Sequence, residues 1–232
     1  MNTFYSDNID GHTIKLSPKE SHHCINVKRS KKGDLVTVLD GKGTRYIASI
    51  VDVNKEAVLL TIKEKNISPN PIAGLHLVIS PTKSHDRIDW MVEKATEIGV
   101  KKISFVSCKR TERKKINFER IKKITVSAIK QCGQYYLPEL SNIINYEDLL
   151  LSILEEQRYI AHLEPESKVH LSKIYNKSKN ICVFIGPEGD FTDQEISFAK
   201  DNNFISVTLG DNTLRTETAG VFVASLINIL NV

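Results

Sequence analysis

Residues 181–191 read Ile181-Cys-Val-Phe-Ile-Gly-Pro-Glu-Gly-Asp-Phe191. The first five are apolar with no polar alternation, the pattern of a strand buried on both faces, and such strands belong to parallel sheets covered by helices. The run breaks at Gly186-Pro187 and Gly189, where glycine lets backbone amides come close to a ligand. Thr192-Asp-Gln-Glu195 follows as a capping box and opens a helix. A buried strand, a glycine loop and a helix in succession predict an α/β fold whose functional loops lie outside the carboxyl ends of its strands.

The same alternation extends in both directions. Leu75–Ser80 reads as a strand, and Ile88, Met91, Val92, Ala95 and Ile98 mark one apolar face of a helix that Gly99 ends. Ile103–Ser107 is a strand, Asn117–Cys132 a helix stopped before Pro138, Tyr159–Leu163 and Phe204–Leu209 strands, and Thr216–Leu230 a last helix. Val207-Thr-Leu209 runs into Gly210-Asp-Asn-Thr-Leu-Arg-Thr-Glu217, a second glycine loop. Neither loop has the Gly-x-Gly-x-x-Gly spacing or the Gly-Lys-Ser/Thr ending, so a dinucleotide or nucleoside triphosphate is not indicated. Arg215 and Glu217 open the last helix. The helix dipole alone favours a carboxylate there, so these residue types leave a structural pair and a catalytic pair both open.

The first seventy residues differ. Asp34–Leu39 and Thr44–Val51 are β-rich runs flanking Asp40-Gly-Lys-Gly43, a hairpin turn, and Glu56–Lys63 adds another strand. Pro18–Ser30 is the one helical stretch. A small β-barrel or sandwich follows. Asn66–Gly74 holds two prolines and a glycine and is the most linker-like stretch, so the expected domains are 1–70 and 74–232.

The chain has 232 residues, 41% hydrophobic and 26% charged, an ordinary globular composition with a net charge of +4. That charge is uneven: between Lys101 and Lys130, eleven lysines and arginines meet only Glu112 and Glu119. Such a one-sided segment repels itself unless something anionic relieves it, the footprint of a phosphate-binding surface. The four cysteines form no Cys-x-x-Cys pair, and the consecutive His22, His23 and Cys24 point in different directions on any regular element, so no metal is expected. Free thiols and an amino terminus without an export signal predict a cytoplasmic protein, and the longest apolar stretch, Ala219–Leu230, falls well short of the ~20 residues a membrane span needs.

Ile185-Gly-Pro-Glu-Gly189, Leu209-Gly-Asp-Asn-Thr-Leu-Arg-Thr-Glu-Thr-Ala219 and Asp86-Arg-Ile-Asp-Trp-Met-Val-Glu-Lys-Ala-Thr-Glu-Ile-Gly-Val100 together resemble the RsmE family of bacterial 16S ribosomal RNA (uracil-N3)-methyltransferases, within the SPOUT superfamily. His22-His-Cys-Ile-Asn-Val-Lys-Arg29 with Gly33-Asp34 and Asp40-Gly41 resembles that family's RNA-binding domain of PUA type. The resemblance implies a SPOUT domain with a mostly parallel sheet and a deep trefoil knot, preceded by a PUA-like β-barrel, working as a homodimer. It implies S-adenosylmethionine held by Ile185, Gly186, Glu188 and Gly189 and by Leu209, Gly210 and Leu214, with Thr82 and Lys83 bordering the cleft. The implied partner is the 16S rRNA of the small ribosomal subunit, with no role for DNA or membrane. Two positions depart from the family. Asp190 stands where a second glycine is frequent, and is expected at the loop edge. Gln134 stands where relatives often carry arginine; either Arg120 or a neighbouring lysine replaces it, or that contact is dispensable here.

On this reading Arg215 stabilises the uracil imide anion and Glu217 orients Arg215 or accepts the N3 proton. Arg29, Arg110, Arg113, Lys114, Lys115 and Arg120 grip the RNA backbone. Two rivals stand beside it: a SPOUT methyltransferase with a different RNA target, and a non-catalytic RNA-binding ribosome-assembly factor. Intact glycine loops, Arg215 and Glu217 speak against the second.

Overall fold

The computed structural model describes residues 1–53, 57–69, 74–163, 169–177 and 179–231. The chain divides into two compact units, Met1–Asn70 with Val126–Leu137, and Pro71–Thr125 with Pro138–Val232. Asn54–Glu56, where the third strand of the amino-terminal half was expected to begin, and residues 70–73 of the linker-like stretch lie outside the described residues.

In the first unit, β1 (Thr3–Tyr5), β2 (Ile9–Asp10), β3 (Thr13–Lys15), β4 (Leu35–Leu39), β5 (Thr44–Val53) and β6 (Val58–Ile67) form one sheet in the order β1-β4-β5-β6-β3-β2. All six belong to one hydrogen-bonded sheet, so the sandwich alternative does not apply. Only the β1–β4 pair is parallel. Burial alternates residue by residue along β5 from Thr44 to Ile50, as a half-buried strand requires. Tyr46, Ala48 and Ile50 join Phe4, Ile14, Val36, Val38 and Leu60 in a single core. The Asp40–Gly43 turn closes because Asp40 Oδ1 accepts from the amides of Lys42 (2.8 Å) and Thr44 (2.9 Å). The sequence predicts one helix over Pro18–Ser30. The structure divides it into α1 (Pro18–His22), capped by the Ser17 hydroxyl, and a π-helical turn over His23–Val27 that seats Cys24 in the core.

In the second unit β7 (Leu75–Ile79), β8 (Lys102–Ser107), β9 (Glu139–Asn145), β10 (Gln157–Ala161), β11 (Val169–His170), β12 (Ile181–Ile185) and β13 (Ile205–Thr208) form a sheet in the order β11-β13-β10-β12-β7-β8-β9. Every neighbouring pair is parallel. Leu75, Leu77 and Ile79 face one core with α2 (His85–Ile98) and α7 (Thr216–Asn231), and with Ile121 of α3 (Phe118–Cys132). The alternate residues Val78, Cys182 and Phe184 face a second core with α4 (Tyr146–Leu151) and α6 (Asp193–Asp201). The short α5 (Leu171–Ile174) follows β11. Gly99 ends α2 in the left-handed conformation at φ 92°, and Thr192 and Glu195 form the predicted capping box of α6. Strand β9 was not anticipated: Ser141 and Asn142 interrupt its apolar pattern, and as the sheet edge it is only half buried. Among the described residues no helix is long and apolar enough to cross a membrane, and all four cysteines are unpaired thiols.

Candidate active site

Three adjacent strands, β13, β10 and β12, end in register, with Ala161 opposite both Ile185 and Val207. Their carboxyl ends open into three loops, as expected for a ligand site in a parallel sheet. A cavity of about 260 Å³ lies among them. Of the sequence-predicted cofactor residues, Ile185, Gly186, Glu188, Leu209, Gly210 and Leu214 line it, and Arg215 stands in the same wall. Gly189 does not line the cavity. Its carbonyl oxygen accepts from Arg110 Nη1 at 2.8 Å. Apolar surface from Ala161, Leu163, Ile185, Val207, Leu209, Leu214 and Ala219 faces the loops' polar backbone.

Each loop has a local cause. At Gly186 an added Cβ would sit 3.0 Å from the Phe191 ring, so any larger residue would need that buried ring to give way. Gly210 takes φ 137°, and its amide and carbonyl both bond to the Thr208 hydroxyl, at 3.2 and 2.9 Å. The Thr216 hydroxyl donates to Gly186 O at 3.0 Å and joins the two glycine loops. Glu188 Oε1 accepts from the amide of Lys83 at 3.0 Å, which draws the segment after β7 against the same loop. Thr82 in that segment is buried and donates to Ser84 O at 3.0 Å.

Asp190 corrects the expectation that it sits at the loop edge: it lines the cavity. Its φ is +61°, a conformation natural to glycine and tolerated by aspartate. Its Oδ2 accepts from the amide of Leu163 at 2.8 Å, which fastens the end of β10 to the glycine loop. His162, buried beside this bond and joined through Nε2 to Ser206 Oγ at 2.9 Å, also lines the cavity. Sequence reasoning missed Ala161–Leu163 because no glycine marks that third strand end. The rule that ligands bind at the carboxyl ends of parallel strands was the available signal.

Arg215 is exposed on the wall, while Glu217 is buried and absent from the lining. Glu217 Oε1 lies 3.5 Å from Arg87 Nε, so its cationic neighbour is Arg87 rather than Arg215. The basic segment also differs from a free cationic surface. Arg110 donates to the carbonyls of Gly189 (2.8 Å) and Phe191 (3.1 Å). Arg113 donates to the carbonyls of Thr82 (2.8 Å) and Lys83 and meets the His85 ring. Lys114 reaches Ser107 Oγ (3.2 Å), and Arg120 pairs with Asp89 at 2.6 Å. Arg110 and Arg113 thus bond backbone carbonyls of the segments after β12 and β7, while Lys114 and Arg120 meet side chains of Ser107 and Asp89. The Lys115 side chain keeps no protein partner among the described residues. Arg29, in the first unit, is exposed at φ +53°.

A second polar cluster occupies the amino ends of the strands. His76 on β7 lies opposite Cys182 on β12, and with Glu155 their donor atoms fall within 4.8 Å of one another. Both imidazole nitrogens are engaged, Nδ1 with Glu155 (2.7 Å) and Nε2 with Ser104 (2.8 Å). Burial drives the Cys182 thiol pKa well up. With its ring satisfied on both sides and its thiol protonated, the cluster is a hydrogen-bonded buried network rather than a prepared metal centre.

Residues 68–228 match the model of an RNA methyltransferase domain, and residues 16–63 that of an RNA methyltransferase PUA domain. Ribosomal RNA small subunit methyltransferase E of Rickettsia conorii is 27% identical over 99% of this chain and 96% of its own. That of Mesomycoplasma hyopneumoniae is 32% identical over 76% of this chain and 78% of its own. Among solved structures, a candidate rRNA-methyltransferase from Porphyromonas gingivalis aligns with a TM-score of 0.92 at 29% identity, over 100% of this chain and 98% of its own. Ribosomal RNA small subunit methyltransferase E from Neisseria gonorrhoeae, bound to S-adenosyl methionine, aligns at 0.88 and 29% identity, over 99% and 98%.

Proposed function

The chain belongs to the ribosomal RNA small subunit methyltransferase E family, and from that membership we propose that it methylates N3 of one uridine in the 16S rRNA of the small ribosomal subunit, using S-adenosylmethionine. The observation that carries this reading is the cavity where three strand ends meet, with an apolar wall, loop backbone and Arg215 together. Those residues suit the donor: Ile185, Leu209 and Leu214 would offer apolar surface to an adenine, and the backbone of the Gly186 and Gly210 loops would hold its polar groups. When bound, S-adenosylmethionine supplies an electrophilic methyl group and leaves as S-adenosylhomocysteine.

The chain's own residues orient the uracil and stabilise the charge that develops as its N3 proton leaves. Uridine N3 becomes nucleophilic as its proton leaves to water, and alignment of the reacting atoms is the main gain a protein offers. Arg215, exposed at the cavity wall, stabilises the charge that develops on the uracil oxygens. Glu217, one residue beyond the wall at Thr216, acts on the site through its neighbours.

Residues 1–70 serve as the PUA-like RNA-binding part and 74–232 as the methyltransferase part. Of the six expected backbone contacts, Arg29, Arg110, Arg113, Lys114, Lys115 and Arg120, Arg29 and Lys115 are without protein partners among the described residues. The SPOUT reading carries a knotted threading of the carboxy-terminal part, supported by β12 lying between β10 and β7. A homodimer is supported by Trp90 on α2 and Phe222 on α7, 44% and 36% exposed on two helices that pack together. The ribosomal substrate implies a cytoplasmic enzyme.

Incubation with small subunits and S-adenosylmethionine, then nuclease digestion and mass spectrometry of the nucleosides, tests the assignment. N3-methyluridine at about one per particle is expected. A different methylated nucleoside would move the reading to another SPOUT target, and no transfer to any RNA would favour the assembly factor.

A further inference from the structure

Glu217 is an anomaly in the second unit. Its side chain is only 8% exposed, its Oε2 has no hydrogen-bond partner among the described residues, and Oε1 faces one cation, Arg87, at 3.5 Å. A charge-assisted bond between guanidinium and carboxylate is normally shorter, near 2.7–2.9 Å, and buried polar atoms are normally satisfied. A buried carboxylate so loosely paired contributes little to stability, because its desolvation offsets the Coulombic gain. Its placement therefore calls for another account.

Arg87 supplies one. It lies in the first turn of α2, its side chain is 41% exposed, and its terminal amino groups have no protein acceptor among the described residues. The first turn of α7 places it. Arg215 and Thr216 line the cavity, and Glu217 follows directly and meets Arg87. The other arginines nearby are engaged: Arg110 and Arg113 on loop carbonyls, Arg120 on Asp89. Arg87 and Arg215 thus keep both terminal amino groups without a protein acceptor among the described residues, whereas Arg110 commits its Nη1 to the loop carbonyls. A guanidinium whose Nε faces a carboxylate on one side presents its two amino groups as a fork on the other, and that fork matches a phosphate.

We infer that Arg87 binds a backbone phosphate of the RNA beside the cofactor cavity, and that Glu217 is the positioning residue that fixes the direction of its fork. The inference rests on the proposed rRNA methyltransferase activity and adds to it a specific contact. It also gives Glu217 a role other than accepting the N3 proton.

The test measures RNA affinity at several salt concentrations, with S-adenosylmethionine affinity and thermal midpoint as controls, for Arg87→Gln, Arg87→Lys, Glu217→Gln and the Arg87→Gln/Glu217→Gln double variant. Arg87→Gln should weaken RNA binding about tenfold and lower the salt slope by about one, with cofactor affinity unchanged. Arg87→Lys should keep the slope and lose part of the affinity. Glu217→Gln should weaken RNA binding by a smaller factor, and the double variant should be no worse than Arg87→Gln alone, because both changes remove one contact. Unchanged RNA affinity and slope in Arg87→Gln, or additive losses in the double variant, would overturn the inference. A fall in thermal midpoint alone would make the pair merely structural and overturn it equally. Wild-type protein that methylates no RNA would instead defeat the underlying reading, a separate outcome.

Discussion

The Thr216 hydroxyl and the Gly186 carbonyl oxygen, 3.0 Å apart, join the start of the last helix to the loop after β12. Both residues line the cavity, so this one bond sets the separation of the two glycine loops. Thr216→Val keeps the shape and removes the donor, leaving a buried carbonyl unpaired at a cost of about 1–3 kcal/mol. Calorimetric titration should show S-adenosylmethionine binding weakened about tenfold or more. Equal affinity would mean the loops hold their spacing without that bond.

Asp190 links β10 to the glycine loop from a left-handed backbone conformation. Asp190→Ala keeps the unfavourable φ, worth roughly 1–2 kcal/mol, and loses the bond to the Leu163 amide, whereas Asp190→Gly loses only the bond. The glycine variant should therefore bind S-adenosylmethionine more tightly than the alanine variant, with wild type tightest. An alanine variant as tight as wild type would show that the strand end needs no such fastening.

The His76–Glu155 pair predicts a pH effect on stability. Burial pushes the Glu155 carboxyl up, but the hydrogen bond and charge of His76 outweigh it and hold the pKa below the usual carboxylate range. A group with a lowered folded pKa contributes stability above its unfolded value and loses it as pH falls through the folded one. Urea unfolding between about pH 5 and about pH 3 should show wild-type stability falling more steeply than that of Glu155→Gln, although the variant is less stable at neutral pH. Parallel curves would contradict the pairing.

In the first unit, Gly43 sits at φ 105°, and a Cβ there would overlap the Tyr136 hydroxyl, which itself donates to Ser68 O at 2.9 Å. Gly33, at φ 94°, has nothing within 4 Å of the same added atom. Gly43→Ala should lower stability by about 2–4 kcal/mol, and Gly33→Ala by about 1–2 kcal/mol from backbone strain alone. Denaturant midpoints compare them, and equal losses would show that Tyr136 yields freely.

What the sequence revealed and what it hid divide along physical lines. Helix α2 was readable because Ile88, Met91, Val92 and Ala95 repeat at helical spacing and all face the core. The glycine loops were readable because a glycine at a strand end has a backbone cause. Strand β9 was not, since an edge strand buries little and shows little pattern. Nor could composition tell a free cation from an engaged one: Arg110, Arg113, Lys114 and Arg120 read as an RNA surface in sequence, and in the fold each also bonds a protein group. Arg87 was overlooked because its partner Glu217 lies on another helix, and only folding brings them together. Asp190 looked peripheral because its role depends on φ and on the Leu163 amide.

The most direct test of the whole account is a crystal structure of the purified protein grown with S-adenosylhomocysteine. The adenosine is expected among Ile185, Leu209 and Leu214, with its polar groups on the backbone of the Gly186 and Gly210 loops and the sulfur on the side of Arg215. Folded protein with that cavity empty at saturating ligand, or the ligand bound elsewhere, would contradict it.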